Sequence, residues 1–217
     1  MTTRKLAVVS AGLSNPSSTR MLADRLAAAT VAELDDLVGA EPVTVETIEL
    51  RDLAHDITDN LLTGFARPAL EAALKAVASA DGLIVVTPIF STSYSGLFKS
   101  FVDVIDREAL TGMPVLIGAN AGTARHSLAI DYAIRPLFTY LHAAPVSTGV
   151  FAASSDWGAD ADTVAPLSAR VQRGAAELAA AMVGAHSRRP VADPYDPATY
   201  AQPGRSFEHM LGGFSGA

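Results

Sequence analysis

The chain contains no cysteine. That excludes a thiol nucleophile, a disulfide framework, a cysteine-held iron–sulfur cluster and a cysteine-based zinc site. Its five histidines, His55, His126, His142, His186 and His209, never stand at a chelating spacing such as i, i+4, so no metal is expected. Long apolar runs are equally scarce. The N-terminal one spans only Leu6 to Val9, whereas a signal peptide needs about 7–15 such residues and a membrane span about 20. A cytoplasmic protein without a membrane partner is expected. Basic residues number 16 against 23 acidic ones, for a net charge of −7 with no Lys/Arg cluster. Neither a nucleic acid backbone nor an anionic bilayer is therefore an expected partner. What is abundant is apolar: 49% of 217 residues, with only 18% charged, enough to bury the core of one domain.

The apolar residues come in short runs separated by helical stripes. Leu6-Ala-Val-Val9, Val43 to Leu50, Gly82-Leu-Ile-Val-Val-Thr87, Pro114-Val-Leu-Ile-Gly118 and Val146 to Phe151 read as five strands. Continuous rather than alternating apolar character marks strands buried on both faces. Between them, Leu22, Leu26 and Ala29 share one helical face, with Ser17 or Ser18 as cap, and Pro68 opens a helix with Leu70, Leu74 and Val77 inward. The segment 51–65 reads as a turn or short helix, 89–94 as a loop, 95–105 as a helix, 124–141 as one helix, and 164–183 as a last Ala-rich helix. Strands alternating with helices predict an α/β fold: a doubly wound five-stranded parallel sheet, order 2-1-3-4-5, with helices on both faces. Residues 1–185 form that domain. Residues 186–217 hold four of the twelve prolines and several glycines. They read as a tail, with Phe207, Met210, Leu211 and Phe214 as candidates for docking on a neighbouring subunit.

In this sheet order ligands bind outside the carboxyl ends of strands 1, 3 and 4. The first loop lacks both the Gly-x-Gly-x-x-Gly of a dinucleotide site and the Gly-Lys-Ser/Thr of a Walker loop. It is rich in hydroxyls instead, with Ser10, Ser14, Ser17, Ser18 and Thr19. At a helix start these and the free amides suit a phosphate monoester, each hydrogen bond to a charged group contributing about 1.5–3 kcal/mol. The second loop carries Pro88, Ile89 and Phe90, a wall for a flat heteroaromatic ring, followed by Ser91 and Ser93. The third, Asn120-Ala-Gly-Thr123, offers amides with little side-chain obstruction. Together they describe a mononucleotide site that FMN fits.

Three stretches carry a resemblance: Ala80-Asp-Gly-Leu-Ile-Val-Val-Thr-Pro-Ile-Phe, Tyr94-Ser-Gly-Leu-Phe-Lys, and Gly122-Thr-Ala-Arg-His-Ser-Leu-Ala-Ile-Asp-Tyr-Ala-Ile-Arg-Pro136. The chain resembles the NADPH-dependent FMN reductase family. More narrowly, it is similar to the reductase components of two-component flavin monooxygenases, such as the alkanesulfonate and luciferase-like systems. The resemblance covers about residues 4–183. It implies a flavodoxin-like fold, a homodimer or homotetramer, FMN with NADPH or NADH as the nucleotides, and a partner monooxygenase that receives reduced FMN. It also implies that Ser17, Ser18 and Thr19 hold the phosphate, with Ser10 beneath them. Pro88, Ile89, Phe90 and Ser91, with Ser93 behind, would line the isoalloxazine, and Asn120, Ala121, Gly122 and Thr123 its pyrimidine edge. Tyr132 would lie in a one-residue π-type insertion at the oligomer interface. Tyr132 and His126 are the candidate catalytic side chains, although hydride transfer from nicotinamide to flavin N5 requires no general acid or base.

Two departures from the family pattern stand out. Ser14 occupies a position where an arginine is frequent, which leaves Arg20 as a candidate for the phosphate charge. Phe90 replaces a frequent tyrosine. Competing readings are an NAD(P)H:quinone, azo or chromate reductase with FMN as prosthetic group, and a flavodoxin-like electron carrier without enzyme activity. A serine hydrolase is disfavoured, because no serine sits in a Gly-x-Ser-x-Gly elbow.

Overall fold

A strand that is apolar along its whole length must be covered on both faces, and period-2 alternation decides which helix covers which residue. In the computed structural model, which describes residues 3–39, 42–157 and 166–184, this division holds along the central strands, whereas the edge strand at 43–49 is mostly exposed. Strand β1 (Arg4–Ser10) sends Leu6 and Val8 to one side and Ala7 and Val9 to the other. Strand β3 (Gly82–Phe90) likewise sends Ile84 and Val86 one way, and Leu83 and Val85 the other. Helices α1 (Ser18–Val38) and α6 (Leu167–Gly184) cover the first side. Helices α2 (Ala54–Thr63), α3 (Pro68–Ala78), α4 (Gly96–Asp103) and α5 (Arg135–Tyr140) contribute to the second.

The other strands are β2 (Val43–Glu49), the two-residue β4 (Ser93–Tyr94), β5 (Pro114–Ala121), the two-residue β6 (Ala144–Pro145) and β7 (Val150–Ala153). The parallel order is β2-β1-β3-β5, with β6 and β7 sharing the last position beside β5. Counted by position, this is the expected 2-1-3-4-5 order of flavodoxin-like sheets. No helix among the described residues is long and apolar enough to cross a membrane. The tail 186–217, with its four docking candidates, lies outside the described residues.

Several boundaries differ from expectation. The last strand is not Val146–Phe151: pairing breaks after Val146 and resumes at Val150. Side chains take the backbone groups of the gap. Arg135 donates to Val146 O at 2.7 Å and Ser147 O at 3.0 Å, and Glu177 accepts from Thr148 N at 2.7 Å. The segment 89–94 is not a loop but a hairpin, in which Ile89 faces Tyr94 and Phe90 faces Ser93. Finally, the helix read over 124–141 divides into a 3-10 turn (Ala124–His126), a π-helix (Ile130–Ile134) and α5, and the π-helix contains Tyr132, where the resemblance implied a π-type insertion. Pro136 has no N–H, so the carbonyl of Tyr132 loses its α-helical donor. The ladder re-registers, and Arg135 N–H reaches Ile130 O, five residues back.

Candidate functional site

The first loop leaves β1 at Ser10 and is held at once to β3, because Ala11 N–H donates to Val86 O at 2.9 Å. It folds back so tightly at Gly12 that a Cβ there would lie 2.0 Å from Ser17 Oγ. Ser17 is the cap of α1 and accepts from Arg20 N at 3.2 Å. Ser18 and Thr19 then open the helix, where amide N–H groups have no carbonyl one turn back and the helix dipole favours an anion.

Asn120 joins this helix start to the third loop. It occupies the end of β5, not a loop, and is buried. Its side-chain oxygen accepts from Thr19 Oγ1 at 2.8 Å, and its NH₂ donates to Ser18 Oγ at 2.9 Å. With that bond accepted, the Ser18 hydroxyl proton is left to point elsewhere. Gly122 follows in open space, and Thr123 Oγ1 accepts from Arg125 N at 3.4 Å to start the 3-10 turn.

In the second loop, Thr87 Oγ1 accepts from Ser95 N at 3.1 Å, which fixes the base of the hairpin beneath Pro88. Ile89 is buried and Phe90 is 48% exposed. The hairpin tip, Ser91 and Thr92, has φ of 49° and 70°. Two successive positive φ values are the geometry of a type I′ turn, unusual for a β-branched residue such as Thr92.

These elements enclose a cavity of about 310 Å³ lined by Leu13, Ser14, Ser18, Thr19, Pro88, Ile89, Phe90, Asn120, Ala121, Gly122, Ser154 and Trp157. That volume lies at the small end of ligand sites. Eight predicted residues thus come together: Ser18, Thr19, Pro88, Ile89, Phe90, Asn120, Ala121 and Gly122. Ser10, Ser17, Ser91, Ser93 and Thr123 do not line it. Ser10 lies beneath the loop, its buried Oγ without a partner among the described residues, and Ser17 is occupied as the cap. His126 stands in the 3-10 turn, and Tyr132, 80% exposed, at the centre of the π-helix. Neither lines the cavity.

Leu13, Ser154 and Trp157 were not expected. The last two come from a 3-10 turn (Ser154–Trp157) after β7, a strand end outside the three at which ligands bind in this sheet order. The signal was present, since this is the single tryptophan of the chain and it follows a strand.

Among the described residues, none that lines the cavity is charged. Arg20 is held by Asp24 at 2.7 Å and Glu49 at 2.5 Å, and its pKa is raised by the hydrogen-bonded Asp24, with help from Glu49. Arg51 donates to Ser14 O at 3.3 Å but lies 3.3 Å from Asp52 and 3.6 Å from Glu49. The cationic candidate of the sequence reading, Arg20, is therefore committed to carboxylates. The site fits a phosphorylated heteroaromatic: a helix start with free donors at one end, an aromatic wall and strand-end amides at the other.

Comparison with known proteins gives a consistent picture. Residues 4–158 match the family model described as NADPH-dependent FMN reductase. The chain is 38% identical over 182 residues to the NADH-dependent FMN reductase SfnF of Pseudomonas fluorescens, covering 84% of this chain and 93% of that one. It is also 38% identical over 183 residues to an FMN reductase (NADPH) of Pseudomonas aeruginosa, covering 84% and 94%. Among solved structures, an oxidoreductase from Corynebacterium diphtheriae superposes with a TM-score of 0.79 at 47% identity, covering 84% of this chain and 98% of that one.

Proposed function

The chain belongs to the NADPH-dependent FMN reductase family, and from that premise we propose that its cavity holds FMN for reduction by NAD(P)H and releases the product to a separate flavin-dependent monooxygenase. FMN, when bound, supplies the hydride-accepting N5 for the nicotinamide C4 hydrogen. The protein's part is to bind, orient and stabilise. Ser18, Thr19 and the opening amides of α1 hold the phosphate; Ser17 shapes their turn, and Ser14 closes the loop side. Pro88, Ile89 and Phe90 form the wall for the ring, while Ala121 and Gly122 line the cavity beside it, where backbone amides would stabilise the negative charge that reduction places on the ring. Among the described residues no lining side chain is a titratable acid or base, in keeping with a reaction that needs none. Neither Tyr132 nor His126 is given a chemical role.

The observation that carries this reading is that one cavity unites a hydroxyl-rich helix start, the Pro88–Phe90 wall and the Asn120–Gly122 strand end. Release of the flavin is supported by exposure of the wall: Leu13 is 54% and Phe90 48% exposed. Assembly into a homodimer or homotetramer is supported by the exposed apolar side chains of Leu128, Tyr132 and Tyr140. The test is oxidation of NADPH and of NADH by the purified protein, with and without added FMN, beside its visible spectrum as isolated. Colourless protein whose rate saturates with added FMN is expected. Yellow protein indifferent to added FMN but active on quinones would replace this reading with a reductase that keeps FMN as a prosthetic group.

A further inference from the structure

The 3-10 turn that carries Ser154 and Trp157 is a built element. Asp156 accepts from Ala153 N at 2.7 Å and from Arg170 at 2.6 Å, and Arg170 also donates to Phe151 O. The Asp156 side chain is 10% exposed, so this clamp is largely sheltered from solvent. It ties the turn to β7 and α6 and fixes Trp157 against the cavity.

The tryptophan is held from a second direction. The Arg25 guanidinium lies 4.6 Å from the centroid of its ring, a cation–π contact that covers one face. What remains of the indole to meet the cavity is its other face and its edge. The edge includes the Nε1–H, which donates to no described residue. Arg25 has no carboxylate partner among the described residues, unlike Arg20 and Arg51. It also stands seven residues, about two helical turns, beyond Ser18, and so on the same face of α1. Ser18 and Trp157 line one cavity.

These facts meet a need of the site. A flavin phosphate brings up to two negative charges to a chain of net charge −7, into a cavity where no described lining residue is charged. We infer that Trp157 and Arg25 form the side wall of the phosphate end of this site, the indole N–H as donor and Arg25 as counter-charge, so that the pair makes the protein select FMN over riboflavin. The inference rests on the FMN reading above and deepens it.

The test compares wild type, Arg25→Gln and Trp157→Phe by titration of flavin fluorescence with FMN and with riboflavin, at low and high salt. Arg25 is exposed, so its substitution leaves the fold intact. The expected result is that R25Q weakens FMN about tenfold and leaves riboflavin unchanged, with the salt dependence of FMN binding reduced. W157F, which keeps an aromatic wall and removes the N–H, weakens FMN alone. FMN binding unchanged in both variants overturns the inference, as does an equal loss of FMN and riboflavin. A selective rise in KM for NADPH over NADH, with FMN affinity intact, would assign the charge to the nicotinamide nucleotide and overturn it too. Wild-type protein that binds neither flavin would overturn the FMN reading itself.

Discussion

Thr19 Oγ1 donates to the side-chain oxygen of Asn120 at 2.8 Å, between residues 101 positions apart. The bond joins the start of α1 to the end of β5, and the Asn120 NH₂ adds a second link to Ser18. The end proposed to hold the phosphate and the end proposed to meet the ring are thereby one rigid unit. A shift in either loop is transmitted to the other through one buried amide.

Replacing that amide therefore costs both stability and affinity. Asn120→Ala leaves Thr19 with a buried, unsatisfied hydroxyl, and a loss of about 1–3 kcal/mol is expected by denaturant unfolding. Asn120→Asp retains an acceptor for Thr19 but loses the donor to Ser18 and adds a negative charge beside the phosphate subsite. Its FMN affinity, measured by titration, falls further than its stability.

Gly12 and Gly122 form a contrasting pair. A Cβ at Gly12 would lie 2.0 Å from Ser17 Oγ, so Gly12→Ala forces the cap away from Arg20 N–H. The expected loss is about 1 kcal/mol of stability, the typical value of an N-cap, together with weaker FMN binding. At Gly122 a Cβ meets nothing within 4 Å, and Gly122→Ala unfolds at the wild-type denaturant concentration. Equal destabilisation of both would contradict the placement of the first loop.

Trp157 is the single tryptophan and lines the cavity. Oxidised flavin absorbs where tryptophan emits, so saturating FMN is expected to quench the protein's tryptophan emission almost fully. Emission unchanged while FMN binding is seen by another method would place the flavin elsewhere.

Tyr132 tests the assembly. At 80% exposure it contributes little to the fold of one chain, so Tyr132→Ala is expected to change the melting temperature of an isolated subunit little. Sedimentation velocity is expected to show wild type as a dimer or tetramer and the variant shifted toward smaller species. Identical profiles would leave Tyr132 outside the interface.

The fold was legible because its signals are local. Continuous apolar runs mark buried strands, and Ser17 and Pro68 mark helix starts where the structure has them. What escaped depends on contacts distant in sequence. The gap at 146–149 exists because Arg135 and Glu177 take its backbone groups. Asn120 looked like a loop residue until β3 extended its pairing to it, Pro88 opposite Asn120. Of the site, eight residues were legible from their place at strand ends. Ser17 was visible as a hydroxyl but not as a residue already occupied by its cap. Trp157 carried a signal, as the single tryptophan just after a strand, but its place in the site depends on the last strand end meeting α1, a contact between residues distant in sequence. The division of the 124–141 helix was readable from the Tyr132 resemblance, and its cause is the missing N–H of Pro136.

If the chain uses FMN as a substrate, each protein molecule reduces many flavins. The most direct measurement is anaerobic mixing of a small amount of protein with a large excess of FMN and of NADPH or NADH, following the oxidised-flavin absorbance. The whole flavin pool is expected to bleach, at a rate proportional to protein. Bleaching limited to one equivalent per protein, or no bleaching although FMN binds, would contradict it.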